Sequence, residues 1–325
     1  MSPAPLRARS LARLLALLVL AALLALAARR LDVARVIAEL ANVRPVWVAL
    51  ALVSYFAILP LWALQWSLLV PTGTRGRPFV SRMLGVVAMT SSVLNTTPLL
   101  VGEAAGIYFL VTCAALERGA ALSVLAMDQL LVGIAKVCVL VAAAWTNDLP
   151  TWMERGRTVL GLGVGALLLG LVVVAWRTAA MSRLAARVRL ARVSRLIATS
   201  GATLVPLRSP TRGGGALLLA LAKKVAELIA IVCLQHAFGL ALPLSSALLV
   251  LAALSLATLL PIVPGNVGIY EAAVVLAYGR FGVGAERALG IAVTQHACYF
   301  AALALPGYRW LAREALSRTS AAATP

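Results

Sequence analysis

The chain has 325 residues, 62% hydrophobic and 12% charged, with a formal net charge of +18. Apolar stretches long enough to cross roughly 30 Å of hydrocarbon recur along its whole length, which excludes a soluble globular protein and leaves no segment for a sizeable soluble domain. The positive charge is almost all arginine between apolar runs, where topology and anionic lipid explain it, so nucleic acid is not expected as a partner.

In chain order, "RARSLARLLALLVLAALLALAA" has the outline of a signal peptide, but its apolar region is long and reads better as an uncleaved first span. Full spans are expected at about 11–28, 46–70, 120–145, 158–176, 214–238 and 286–308. Two further apolar regions, about 83–113 and 246–280, are too long for one span and too short for two. Pro98 and Gly102 interrupt the first, and Pro261, Pro264, Gly265 and Gly268 the second. Half-helices of about 14 residues rise about 21 Å, enough to reach the midplane and turn back, so both regions read as re-entrant hairpins.

Loop charge orients the chain, because cytoplasmic loops are rich in Lys and Arg. The N-terminus (Arg7, Arg9, Arg13), the loop with Arg75, Arg77 and Arg82, the segment Arg177 to Arg212 and the tail (Arg309, Arg313, Arg318) are basic and go inside. "TNDLPTWMERGR" is near neutral and goes outside. This works if the two broken regions enter from opposite faces. One loop dissents, with Arg29, Arg30, Arg35 and Arg44 only partly offset by Asp32 and Glu39. Within the long basic segment, "MSRLAARVRLARVSRLIA" has the spacing of an interfacial helix on the anionic inner leaflet.

The two broken regions also resemble each other. "TTPLLVGEAAGIYFL" and "IVPGNVGIYEAAVVL" both run proline, glycine, glutamate and two alanines, and Gln129 and Gln295 follow Glu103 and Glu271 at similar distances. With the opposite orientations, this suggests an inverted-topology repeat, the arrangement in which transporters build a midplane site from discontinuous helices. The expected fold is all-α: a polytopic membrane protein of about six full transmembrane helices plus two re-entrant hairpins.

Charges inside apolar segments are costly unless paired or hydrated, which makes the few present informative. They are Asp128 and Lys136 in one span, Lys223, Lys224 and Glu227 in another, and the two hairpin glutamates. Asp128 with Lys136, and Lys223 with Glu227, have the spacing of neutralising pairs on one helix face; alternatively the lysines draw a lipid phosphate into a cavity. Glu103 and Glu271 lie near half-helix starts, where a carboxylate can cap its own helix or line a cavity for a headgroup or proton. His236 and His296 sit near span ends without a second ligand at metal spacing, and Cys113, Cys138, Cys233 and Cys298 read as free thiols. No cofactor, metal or catalytic motif is expected.

Pro98 followed by Gly102-Glu103, and Pro264-Gly265-Asn266-Val267-Gly268-Ile269-Tyr270-Glu271, resemble the motifs of the flippase-like transmembrane family named after the membrane region of lysylphosphatidylglycerol synthase. The resemblance runs from the first span to the tail. It implies one domain over residues 1–325, with halves of about 1–157 and 158–325, each holding a re-entrant element, and a role in moving or exposing lipid at the bacterial cytoplasmic membrane with both termini inside. The fused synthases carry a soluble aminoacyl-transfer domain after this region. None is visible here, so lysyl transfer is not expected. Arginines common in the family are replaced by Gly106, Gln129, Tyr270 and Gln295, which points to a less anionic lipid.

The sequence thus predicts a lipid translocator whose substrate contacts are Glu103, Glu271, Asn266, Tyr270, Asp128, Gln129, Lys136, Lys223, Lys224 and Gln295. Its partners would be membrane lipids of anionic, polyprenyl or hopanoid type, with room for a second copy of the chain or a lipid-biosynthesis enzyme. A membrane transferase using Glu103 or Glu271 as general base, and a scaffold for a biosynthetic complex, remain as alternatives.

Overall fold

The computed structural model describes residues 32–71, 80–97, 101–148, a set of helical residues between 151 and 166, 210–259 and 263–322. Among the described residues the secondary structure is helical throughout. The expected span at 11–28, most of that at 158–176, the basic interfacial segment, Pro98 and Pro261 lie outside them.

The described part of the dissenting basic loop contains α1 (Val33–Ala41). Asp32 caps it, accepting from the Ala34 and Arg35 amides at 3.0 and 3.2 Å. Val33, Ile37 and Leu40 form an exposed apolar stripe at helical spacing, while Arg35 pairs back to Asp32 at 3.1 Å. Glu39 bonds Arg287 at 3.2 Å, fixing α1 to α10.

The expected span at 46–70 is two helices, α2 (Pro45–Phe56) and α3 (Ile58–Leu69), parted at Ala57. Pro60 is the cause, since it lacks an N–H and its ring crowds the carbonyl four residues earlier, at Phe56. Next come α4 (Val80–Thr96), α5 (Val101–Thr112) and α6 (Arg118–Thr146). The second half of the chain gives α7 (Pro210–Ala237), α8 (Leu244–Ala257), a 3-10 turn (Pro264–Asn266), α9 (Ile269–Gly279), α10 (Ala285–Leu303) and α11 (Leu305–Ala322). Pro306 explains the break between α10 and α11, where the Ser92 hydroxyl donates to the Ala304 carbonyl.

Among the described residues three helical stretches are long and apolar enough to cross a bilayer: Pro45–Leu69, Arg118–Thr146 and Ala285–Glu314, of 25, 29 and 30 residues. The 28-residue α7 has the length too, but carries Lys223, Lys224 and Glu227 at its middle. It packs against α2, α3, α6, α8 and α10, so those charges face protein. Two helix pairs that are consecutive in the chain, α4 with α5 and α8 with α9, pack on each other, each followed by a long helix.

Small residues allow these close approaches. A Cβ on Gly102 would lie 2.5 Å from the Leu94 Cα, so α5 meets the backbone of α4 there. Gly265 has φ +65°, and its Cβ would lie 3.2 Å from the Asn95 carbonyl oxygen, which brings the turn before α9 against the end of α4. The ends of the two folded pairs therefore meet.

Gly102→Ala should destabilise the purified protein by about 1–3 kcal/mol, because the obstruction is backbone that cannot rotate away. Gly279→Ala, with open space around it, should not. Thermal unfolding in detergent measures both, and equal melting temperatures would refute the close approach.

Candidate functional site

The helices enclose a cavity of about 630 Å³ beside the point where the pair ends meet. Glu103, Asp128, Gln129, Lys136, Lys223, Lys224, Asn266, Tyr270 and Gln295 all line it, contributed by α5, α6, α7, the 3-10 turn, α9 and α10. Six elements thus bring together the sequence-predicted contacts, with Glu271 the exception. Of the predicted helix breaks, Gly265 lines the cavity, Pro264 starts the 3-10 turn, Gly268 caps α9 and Gly102 packs on α4.

Asp128 is 1% exposed and has three partners. Trp62 Nε1 donates to it at 3.2 Å and Gln65 Nε2 at 3.0 Å, both from α3, and Lys223 Nζ of α7 lies 3.8 Å away. Lys223 also stands 5.2 Å above the Trp62 ring, so one indole serves both charges, as donor to the carboxylate and as π face to the ammonium. Lys224 Nζ contacts both Glu227 oxygens at 2.7 Å. The pairing differs from the spacing-based expectation: Asp128 takes Lys223 in place of Lys136, and Glu227 takes Lys224 in place of Lys223. The burial of α6 against α7 decides this, since a partner on the facing helix competes with one two turns along the same helix.

Glu271 is turned to its own helix and to α10. One oxygen accepts from the Gly268 amide at 2.6 Å, closing the first turn of α9, and the other lies 2.6 Å from His296 Nδ1. It lies on a shallower pocket of about 370 Å³ with apolar walls from Val267, Val293 and Phe300. Both readings of this glutamate meet here, a cap and a polar group on a concave surface.

His296 lies within α10, not near a span end, and is stacked on Tyr270 with ring centroids 4.3 Å apart. Among the described residues it is the side chain common to both pockets. Gln295 Nε2 donates to the Tyr270 hydroxyl at 2.8 Å, and Tyr55 and Tyr299 meet edge to face at 5.5 Å on the same wall. His296, Trp62 and Gln65 were not predicted from sequence. The signals for them were a histidine adjoining the already selected Gln295, and a glutamine buried among tryptophans in "LWALQW". Among the described residues no three His, Cys, Asp or Glu side chains gather as a metal site would require.

With this geometry in view, the comparison with known families is specific. Residues 13–307 match the family model described as the lysylphosphatidylglycerol synthase TM region. The chain belongs to this family. No curated protein and no solved structure matches it. Family membership and the membrane-spanning helices make it a multi-pass membrane protein with a lipid-related role.

Asp128→Asn leaves buried Lys223 without its carboxylate and should cost about 3 kcal/mol of stability. Adding Lys223→Met should recover most of that loss, measured as a double-mutant cycle of thermal unfolding in detergent. Strictly additive losses would refute a coupled pair.

Proposed function

We propose that this chain is a lipid translocator of the bacterial cytoplasmic membrane, with both termini cytoplasmic. The α4/α5 and α8/α9 pairs act as re-entrant hairpins from opposite faces, forming an inverted repeat whose ends meet near the midplane. A lipid headgroup occupies the cavity between them while its tails stay in the bilayer. No group transfer is assigned to the chain.

The observation carrying this reading is the cavity itself, polar and charged at the heart of a bundle built for hydrocarbon. Among the described residues six Lys, Asp and Glu side chains line it, and placing each there costs several kcal/mol unless it is paired, hydrated or meets a ligand. Its volume suits a headgroup-sized ligand, and its wall is built from discontinuous helices, the arrangement that lets backbone polar groups at membrane depth face a ligand instead of lipid. The lipid role of the family supports the same substrate class.

Two measurements test it. Full-length protein in vesicles should move tail-labelled lipid between leaflets, and Glu271→Gln should slow that movement while α9 stays capped, since the amide oxygen can still accept from Gly268. Normal transport by this variant would remove Glu271 from the mechanism. Lipid mass spectrometry of a deletion strain separates transport from synthesis: an unchanged inventory with altered sidedness supports translocation, and a missing chemical species supports a transferase.

A further inference from the structure

The two glutamates that correspond in sequence differ in their surroundings. Glu271 has a partner for each oxygen, the Gly268 amide and His296. Glu103, in the first turn of α5, has neither among the described residues, where its Oε2 is buried without a hydrogen-bond partner. The helix N-terminus offers it about half a positive charge, which leaves the remainder uncompensated.

The reason can be read from the chain. His296 follows Glu271 by 25 residues. The residue at that interval after Glu103 is Asp128, a second carboxylate, whose own oxygens are taken by Trp62, Gln65 and Lys223. Where the second half supplies an imidazole to its glutamate, the first half supplies an acid that binds elsewhere. Among the described residues no cation pairs with Glu103, and Asn266 Oδ1 on the same cavity is a further buried acceptor without a donor.

The other unpaired charge on the cavity is positive. Lys223 and Lys224 each have a carboxylate within 4.0 Å, whereas Lys136 has none among the described residues. Lys136 lies within electrostatic range of Lys224 and Glu227 on α7. The cavity thus holds an unpaired ammonium near α7 and, apart from it, an unpaired carboxylate where the pair ends meet.

We propose that the cavity selects zwitterionic phospholipid headgroups, the phosphodiester seated at Lys136 and a primary ammonium at Glu103. This rests on reading the cavity as a headgroup site. Among the described residues the lining carries three lysines and three carboxylates, so a headgroup with internally balanced charge leaves no residual charge buried there, whereas an anionic headgroup leaves Glu103 bare. Asn266 supplies a second acceptor to an ammonium, which has three protons to donate.

The test is binding first and movement second. Full-length protein in detergent is titrated with phosphatidylethanolamine, phosphatidylglycerol and diacylglycerol of identical acyl chains, and bound lipid is counted by native mass spectrometry. Phosphatidylethanolamine should bind at least about tenfold more tightly than the other two. Glu103→Gln should erase its advantage over phosphatidylglycerol, Glu103→Lys should reverse it, and Lys136→Met should weaken both phospholipids toward diacylglycerol, each variant first shown to be monodisperse. Equal binding of the three lipids, no binding of any, or a Glu103→Gln loss shared by all would overturn the proposal. Tail-labelled versions in vesicles then separate the two readings: selective binding without movement keeps the headgroup assignment and defeats translocation, and unselective movement does the reverse.

Discussion

The bundle depends on how a buried aspartate is held. Asp128 joins α3, α6 and α7 through Trp62, Gln65 and Lys223, and without it the middle of α7 would place an unmatched ammonium among apolar helices. A carboxylate and an ammonium both withdrawn from water gain little over an apolar pair of the same shape, but either one alone is expensive. The node therefore acts less as a source of stability than as a specification of which faces of α3, α6 and α7 meet. It fixes the central helix in rotation, and the charged wall of the cavity follows from that rotation.

Proline and glycine shape the rest. Pro60 and Pro306 break two bilayer-length stretches into segments, and Gly102 and Gly265 let the two folded pairs close on each other. At such breaks the freed backbone groups need partners inside the protein. Ser92 supplies one at the α10 to α11 break, and the Glu271 carboxylate supplies another at the start of α9.

Much of this was legible in the sequence, for physical reasons. A charge in an apolar run is conspicuous because it is costly, so the charged residues lining the cavity could be selected by that cost, and Gln129, Asn266, Tyr270 and Gln295 by the repeat and the motif around the helix break. Partners were not legible, because spacing along one helix says nothing about the facing helix; hence Lys223 takes Asp128 although Lys136 shares the aspartate's helix. The break at Ala57 was hidden since Pro60 sits in an otherwise unbroken apolar run, and the role of His296 was hidden because its partner Glu271 lies on another helix. Trp62 and Gln65 look like ordinary span residues until a buried carboxylate is placed beside them.

His296 lines both the inner cavity and the shallower apolar pocket, so a single imidazole contributes to two surfaces. Rotation about its χ1 would reshape both at once, without parting any helices. The resistance to that rotation is the bond to Glu271 and the stack on Tyr270. The shape of the two pockets is thus coupled through one ring, held by one polar contact and one aromatic one.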